Sequence, residues 1–69
     1  MDHEEQQQRA DLLSRMFAGI TAKLEDAATI AARCQGRVPT EELRENANQL
    51  RDLLSESATV VEGASALIP

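Results

Sequence analysis

The sequence predicts an all-α protein: an antiparallel two-helix hairpin with helices at about residues 3–35 and 40–62 or longer. Three observations support this prediction. Apolar residues recur at alternating steps of three and four, one cluster of turn-forming residues divides the chain, and abundant alanine favours helix. We expect residues 1–69 to form a single helical-hairpin domain, in which residues 1–5 and 64–69 are the segments most prone to fray.

Each predicted helix carries one apolar seam with heptad spacing, the pattern by which two helices pack along their length. In the first helix the seam consists of Ala10, Leu13, Phe17, Ile20, Leu24, Ala27, Ala31 and Cys34. In the second it consists of Leu43, Ala47, Leu50, Leu54, Ser57, Val61, Ala64 and Ile68. Counting outward from the turn, we expect Leu24 to face Leu50 and Phe17 to face Ser57.

The segment between the two seams predicts a tight reversal of the chain. Gly36 can adopt the left-handed conformation that ends helices, and Pro39 cannot continue a preceding helix. Either Thr40 caps the second helix or Pro39 is its first residue. Gly63 is a possible early end of the second helix. A short turn makes the helices antiparallel.

A second apolar set predicts an oligomer interface on one flank of the hairpin. Its members are Met16, Ile30, Leu53, Val60 and Leu67. The opposite flank is polar or small and is expected to be a solvated wall; its members are Gln7, Ser14, Thr21, Ala28, Arg44, Arg51, Ala58 and Ser65. A second copy of the hairpin is the simplest cover for the apolar flank, and it would form a four-helix bundle. A larger protein partner is the alternative.

Length and composition also indicate association. A chain of 69 residues buries little surface, and its single cysteine, Cys34, rules out an internal disulfide. A formal charge of -5 disfavours nucleic acid as a partner. No basic segment followed by an apolar run opens the chain, so we expect neither a secretion signal nor a membrane span. A cytoplasmic location fits the cysteine content.

No set of residues predicts an enzyme, a cofactor site or a metal site, so we expect a non-enzymatic interaction or regulatory module. The candidate partner-binding residues are the acids of the second helix, Glu41, Glu42, Glu45, Asp52 and Glu56. One alternative is an inhibitor or antitoxin-like protein that uses these acids to mask a basic or nucleic-acid-binding surface. Another is a weak RNA or DNA contact through Arg44 and Arg51, the only basic stripe.

Overall fold

A computed structural model describes residues 3–69 of the chain as two α-helices packed against each other. Helix α1 runs from His3 to Arg33 and helix α2 from Thr40 to Leu67. The hairpin is elongated, with extents of 57 × 15 × 12 Å. The predicted fold class is confirmed, and α1 ends two residues before the predicted boundary.

The turn uses the residues that the sequence indicates. Gly36 has φ +85°, in the left-handed region where a side chain would be strained. Pro39 is the N-cap of α2, because its carbonyl accepts the first helical hydrogen bond, from the Leu43 amide at 3.0 Å. Helix α2 thus begins at residue 40, as predicted, but neither predicted capping arrangement is observed: Thr40 is the first helical residue, Pro39 precedes it, and no side chain caps the helix.

Helix α2 continues through Gly63 and ends at Leu67, so the early end suggested by this glycine does not occur. A Cβ built at Gly63 would lie 3.4 Å from the Met16 Cε atom of α1. This distance is an ordinary van der Waals contact, so Met16 lies beside the α2 backbone at Gly63 without requiring a glycine there. After the last turn, the Ile68 amide donates to the Ser65 carbonyl at 3.3 Å, and this bond closes the end of the helix.

The two helices meet along an inner seam of residues that are buried or half-buried. In α1 these are Arg9, Leu13, Met16, Ile20, Lys23, Ala27, Ile30 and Cys34, and in α2 they are Asn46, Leu50, Leu53, Ser57, Val60, Ala64 and Leu67. Within residues 3–69, only Ile20, Ala27, Ile30, Ser57 and Ala64 are classed as buried. The core of the isolated hairpin is therefore thin.

The predicted pairing of layers is wrong. The Lys23 Nζ atom lies 3.3 Å from the Glu56 Oε2 atom, whereas the predicted register places Lys23 opposite Arg51. The contact between Met16 and Gly63 shows the same displacement along α2. The antiparallel topology is retained, but each level of α1 faces a part of α2 farther from the turn.

Rotation of both helices explains this difference. The inner seam retains one predicted member in each heptad, such as Ile20 and Ala27, and replaces the other with its preceding neighbour. Met16 thus replaces Phe17, and Leu53 replaces Leu54. Both choices give apolar residues at steps of three and four, so spacing alone cannot distinguish two adjacent faces of one helix.

Candidate interaction surface

The rotation leaves a continuous stripe of apolar residues exposed, which we call the apolar flank. Its large members are Phe17, Leu24, Leu54, Val61 and Ile68, and its small members are Ala10, Ala31 and Ala47. Phe17 and Leu54 are each 48% exposed and Leu24 is 47% exposed. Leaving single large side chains half-exposed is ordinary, but a contiguous set of them is a candidate interaction surface.

The flank residues of both helices lie on the same side of the hairpin. On the other side of the hairpin, Ile30 and Leu53 border an open groove. The other residues that line this groove, such as Asp26 and Gln49, are polar. The flank residues lie next to the seam residues at the opposite edge of each helix from this groove. Phe17, for example, is one helical turn from Ile20. When two helices pack antiparallel, the residues just outside this edge of the seam lie side by side. The flank residues of α1 and α2 therefore form one surface.

The register of the hairpin arranges the flank in rows. Because Met16 lies opposite Gly63 and Lys23 opposite Glu56, Phe17 is at the level of Val61. By the same register, the next row toward the turn contains Leu24 and Leu54. Farther toward the turn lies a row of Ala31 and Ala47, and toward the open end lies a row of Ala10 and Ile68.

No acidic residue borders the apolar flank. The positions beside it are the polar or small set of the sequence: Gln7, Ser14, Thr21, Ala28, Arg44, Arg51, Ala58 and Ser65, all exposed. The chain has twelve acidic residues, and its only charged residues at this rim are Arg44 and Arg51. The set predicted as a solvated wall is therefore the border of the exposed apolar surface.

The five residues predicted as the oligomer interface occupy a different place. Ile30 is buried, and the other four residues are half-buried in the inner seam; the full set is Met16, Ile30, Leu53, Val60 and Leu67. The prediction that they form an exposed flank is wrong, because the helices turn this face toward each other. The two apolar sets have exchanged places relative to the prediction.

The acidic candidates are all exposed, and ion pairs engage two of them. Glu41 Oε1 accepts a hydrogen bond from Arg44 Nη1 at 3.2 Å, and Glu56 pairs with Lys23. The other three acids, Glu42, Glu45 and Asp52, form no ion pair within residues 3–69. Glu42 and Glu45 line an open groove near the turn, which also includes Arg33. The structure therefore places these acids away from the apolar flank.

Two polar residues of the inner seam, Ser57 and Lys23, each have a nearby polar partner. Ser57 is buried, and its hydroxyl donates to the Leu53 carbonyl at 2.8 Å. Lys23 keeps its ammonium group at the seam edge, where it meets Glu56. Across residues 3–69, no buried side-chain nitrogen or oxygen lacks a hydrogen-bond partner. The seam thus contains no strained polar group that would indicate a reactive site.

The described part of the chain also shows no cluster suited to holding a metal ion. No three His, Cys, Asp or Glu side chains of residues 3–69 come together in such an arrangement. Cys34, half-buried, is unpaired beside the turn. Neither α1 nor α2 combines the length and apolar character needed to cross a bilayer.

Five large exposed apolar side chains thus lie on one flank, which no carboxylate borders, whereas Leu12 and Leu43 are exposed outside it. Comparison of the chain with protein-family models, curated proteins and solved structures found no significant match to any of them.

Proposed function

We propose that this protein is a non-enzymatic interaction or regulatory module that works as a homodimeric four-helix bundle. The observation that carries the proposal is the exposed apolar flank. Fully burying a large aliphatic or aromatic side chain is worth roughly 1.5–3 kcal/mol, and five flank side chains remain about half-exposed. A partner that covers them would add stability that the thin inner seam does not supply.

The size of the exposed surface supports association. The hairpin exposes 5434 Å², whereas a compact monomer of its mass, 7.5 kDa, would expose about 4,200 Å². The excess is of the order of the roughly 800 Å² that each partner buries in a stable interface. The radius of gyration of 16.5 Å also exceeds the roughly 11 Å of a compact domain of this length.

The charge distribution favours a second copy as the occupant of the flank. Two chains that each carry a formal charge of -5 repel each other unless their contact surface excludes the acids. The flank and its border meet this condition, because they contain no carboxylate. Depletion of charge at the centre of a contact surface is also the compositional sign of an interface.

Dimerisation through the flank would leave the acidic faces outward, where they could bind a basic partner. This supports the second candidate function, an inhibitor or antitoxin-like protein that masks a basic surface. Its motivating observation is that Glu42, Glu45 and Asp52 are exposed and form no ion pair within residues 3–69. Binding of this kind is weakened by salt.

The dimer is tested by the mass in solution, measured by light scattering over a series of protein concentrations. The variants are Leu54→Glu, which places a charge at the centre of the flank, and Gln49→Glu, which adds the same charge on the other side. We expect wild type and Gln49→Glu to have twice the chain mass, and Leu54→Glu to dissociate at concentrations where they remain dimeric.

A wild-type protein that stays monomeric and helical at all concentrations would overturn the proposal, whatever the variants do. Equal dissociation of Leu54→Glu and Gln49→Glu would also count against the flank, because a general charge effect would then be sufficient. Circular dichroism of each sample separates dissociation from unfolding.

The second candidate function, masking of a basic surface by the exposed acids, is tested separately with an oligolysine peptide as the basic probe. We expect calorimetry to show binding that weakens as salt is added, and that weakens several-fold in the triple variant Glu42→Gln, Glu45→Gln, Asp52→Asn. Affinity that is the same in the variant and in wild type would reject these three residues as the binding surface.

A further inference from the structure

We infer that the second copy lies end for end on the apolar flank, with its turn beside the open end of the first hairpin. The inference rests on the proposed dimer and adds its geometry. Two-fold symmetry allows face-to-face hairpins to point in the same direction or in opposite directions. The row structure and the end charges of the hairpin distinguish these arrangements.

The first argument concerns side-chain volume. If both hairpins pointed the same way, each row would face itself, so the row of Ala31 and Ala47 would form a layer of four alanines. The row of Phe17 and Val61 would meet an identical row and place two phenylalanines in one layer. Such a bundle would combine a void with a crowded layer, whereas protein interiors are evenly close-packed.

The end-for-end arrangement removes this mismatch. Rows lie seven residues apart, or about 10.5 Å, so reversing one hairpin still superposes rows on rows. The Phe17 row then meets the row of Leu24 and Leu54, and the alanine row near the turn meets the row that contains Ile68. The four-alanine layer and the layer with two phenylalanines both disappear.

The second argument concerns charge at the two ends. In the outermost part of the open end, residues 3–8 and 65–69, Glu4 and Glu5 are the only charged side chains apart from His3. The turn end is balanced: Arg33, Arg37 and Arg44 against Glu41, Glu42 and Glu45. Hairpins pointing the same way bring two acidic ends together, whereas the end-for-end arrangement sets each acidic end beside a neutral one.

The arrangement is tested by the distance between spin labels in the dimer, measured by pulsed electron paramagnetic resonance. Both labelled proteins carry Cys34→Ser, so that each has one reactive cysteine. The first label is at Arg37→Cys in the exposed turn, and the second is at Ala18→Cys on an exposed part of α1 near mid-length. Light scattering first establishes the mass of each labelled protein.

The end-for-end dimer predicts about 40–50 Å between the two turn labels, from the helical rise of about 1.5 Å per residue. Hairpins that point the same way predict about 20 Å or less, because packed helices lie about 8–10 Å apart. A short distance between the turn labels would overturn the inferred arrangement and leave the dimer standing.

The Ala18→Cys label separates this failure from failure of the proposed function. It lies near the middle of the hairpin, so either arrangement gives a measurable distance between copies. If neither label gives an intermolecular distance and both proteins have the mass of one chain, the dimer fails and the arrangement fails with it.

Discussion

Single residues of the inner seam differ in how much change they can accommodate. Ala64 is 1% exposed, the smallest exposure among the buried residues, so α1 lies directly against its methyl group. A larger side chain there must displace the opposing helix, whereas the solvent-facing positions can accept one freely. The structure therefore predicts a loss of stability on enlarging one alanine and little change on enlarging another in the same chain.

Ala64→Leu should lower the free energy of unfolding by about 1–3 kcal/mol, the usual cost of overpacking. The matched control is Ala18→Leu on the exposed face of α1, for which we expect a change within about 0.5 kcal/mol. Urea denaturation at one protein concentration gives both values. Equal effects of the two substitutions would show that Ala64 is not packed as described.

The glycines within the helices make a second comparison at this scale. A Cβ at Gly19 meets no atom within 4 Å, so Gly19→Ala should stabilise the helix by about 0.5–1 kcal/mol. At Gly63 the added methyl would touch the flexible Met16 side chain at 3.4 Å, so Gly63→Ala should gain the same amount or less. Thermal unfolding of both variants checks these values; a loss of stability in Gly63→Ala would contradict the space observed beside Gly63.

At the scale of the helices, the two helices and their turn could be predicted from the sequence, but the rotation of each helix about its own axis could not. The turn at Gly36 and Pro39 was predictable, because glycine and proline each have a strong local conformational preference. Which of two adjacent apolar faces meets the other helix was not, since Met16 and Phe17 both continue a heptad pattern. The one sequence signal that favours the observed face is the absence of acids at the positions beside Phe17 and Leu54.

The ion pair between Lys23 and Glu56 joins the helices near mid-length, and it should influence register more than stability. Its two side chains are 34% and 58% exposed, so solvent screens the interaction. A double-mutant cycle with Lys23→Gln and Glu56→Gln should give a coupling of about 0.2–1 kcal/mol that falls as salt is added. The pair Arg44 and Glu41, within α2, is the control for a local contact. Absence of any coupling would contradict a stabilising role for this ion pair.

At the scale of the whole molecule, the hairpin is long, thin and poorly buried. Its folded surface exceeds that of a compact protein of equal mass, and five of the seven large apolar residues exposed within residues 3–69 lie on one flank. If a second copy covers this flank, folding and association are linked, so thermal stability depends on protein concentration. We expect the unfolding temperature to rise with concentration in wild type and to change little in Leu54→Glu.

The interface residues could not be derived from the sequence alone, for a physical reason that belongs to this scale. Self-association depends on which apolar side chains remain outside after the helices pack, and that choice follows from rotation of the helices. Met16 and Leu53, which were predicted to contact a partner, instead lie half-buried between the two helices of one chain. That a partner covers one apolar set stays a prediction. The residues now expected to contact the partner are Phe17, Leu54 and the other members of the apolar flank.

The most direct test of the central claim uses Phe17, whose ring gives the only aromatic side-chain signals of the chain apart from His3. In a mixture of isotope-labelled and unlabelled protein, filtered nuclear Overhauser spectra detect only contacts between copies. We predict contacts from the Phe17 ring to leucine methyl groups of the second copy. A dimer whose intermolecular contacts come from Met16 and Leu53 instead, with the Phe17 ring in solvent, would contradict the account.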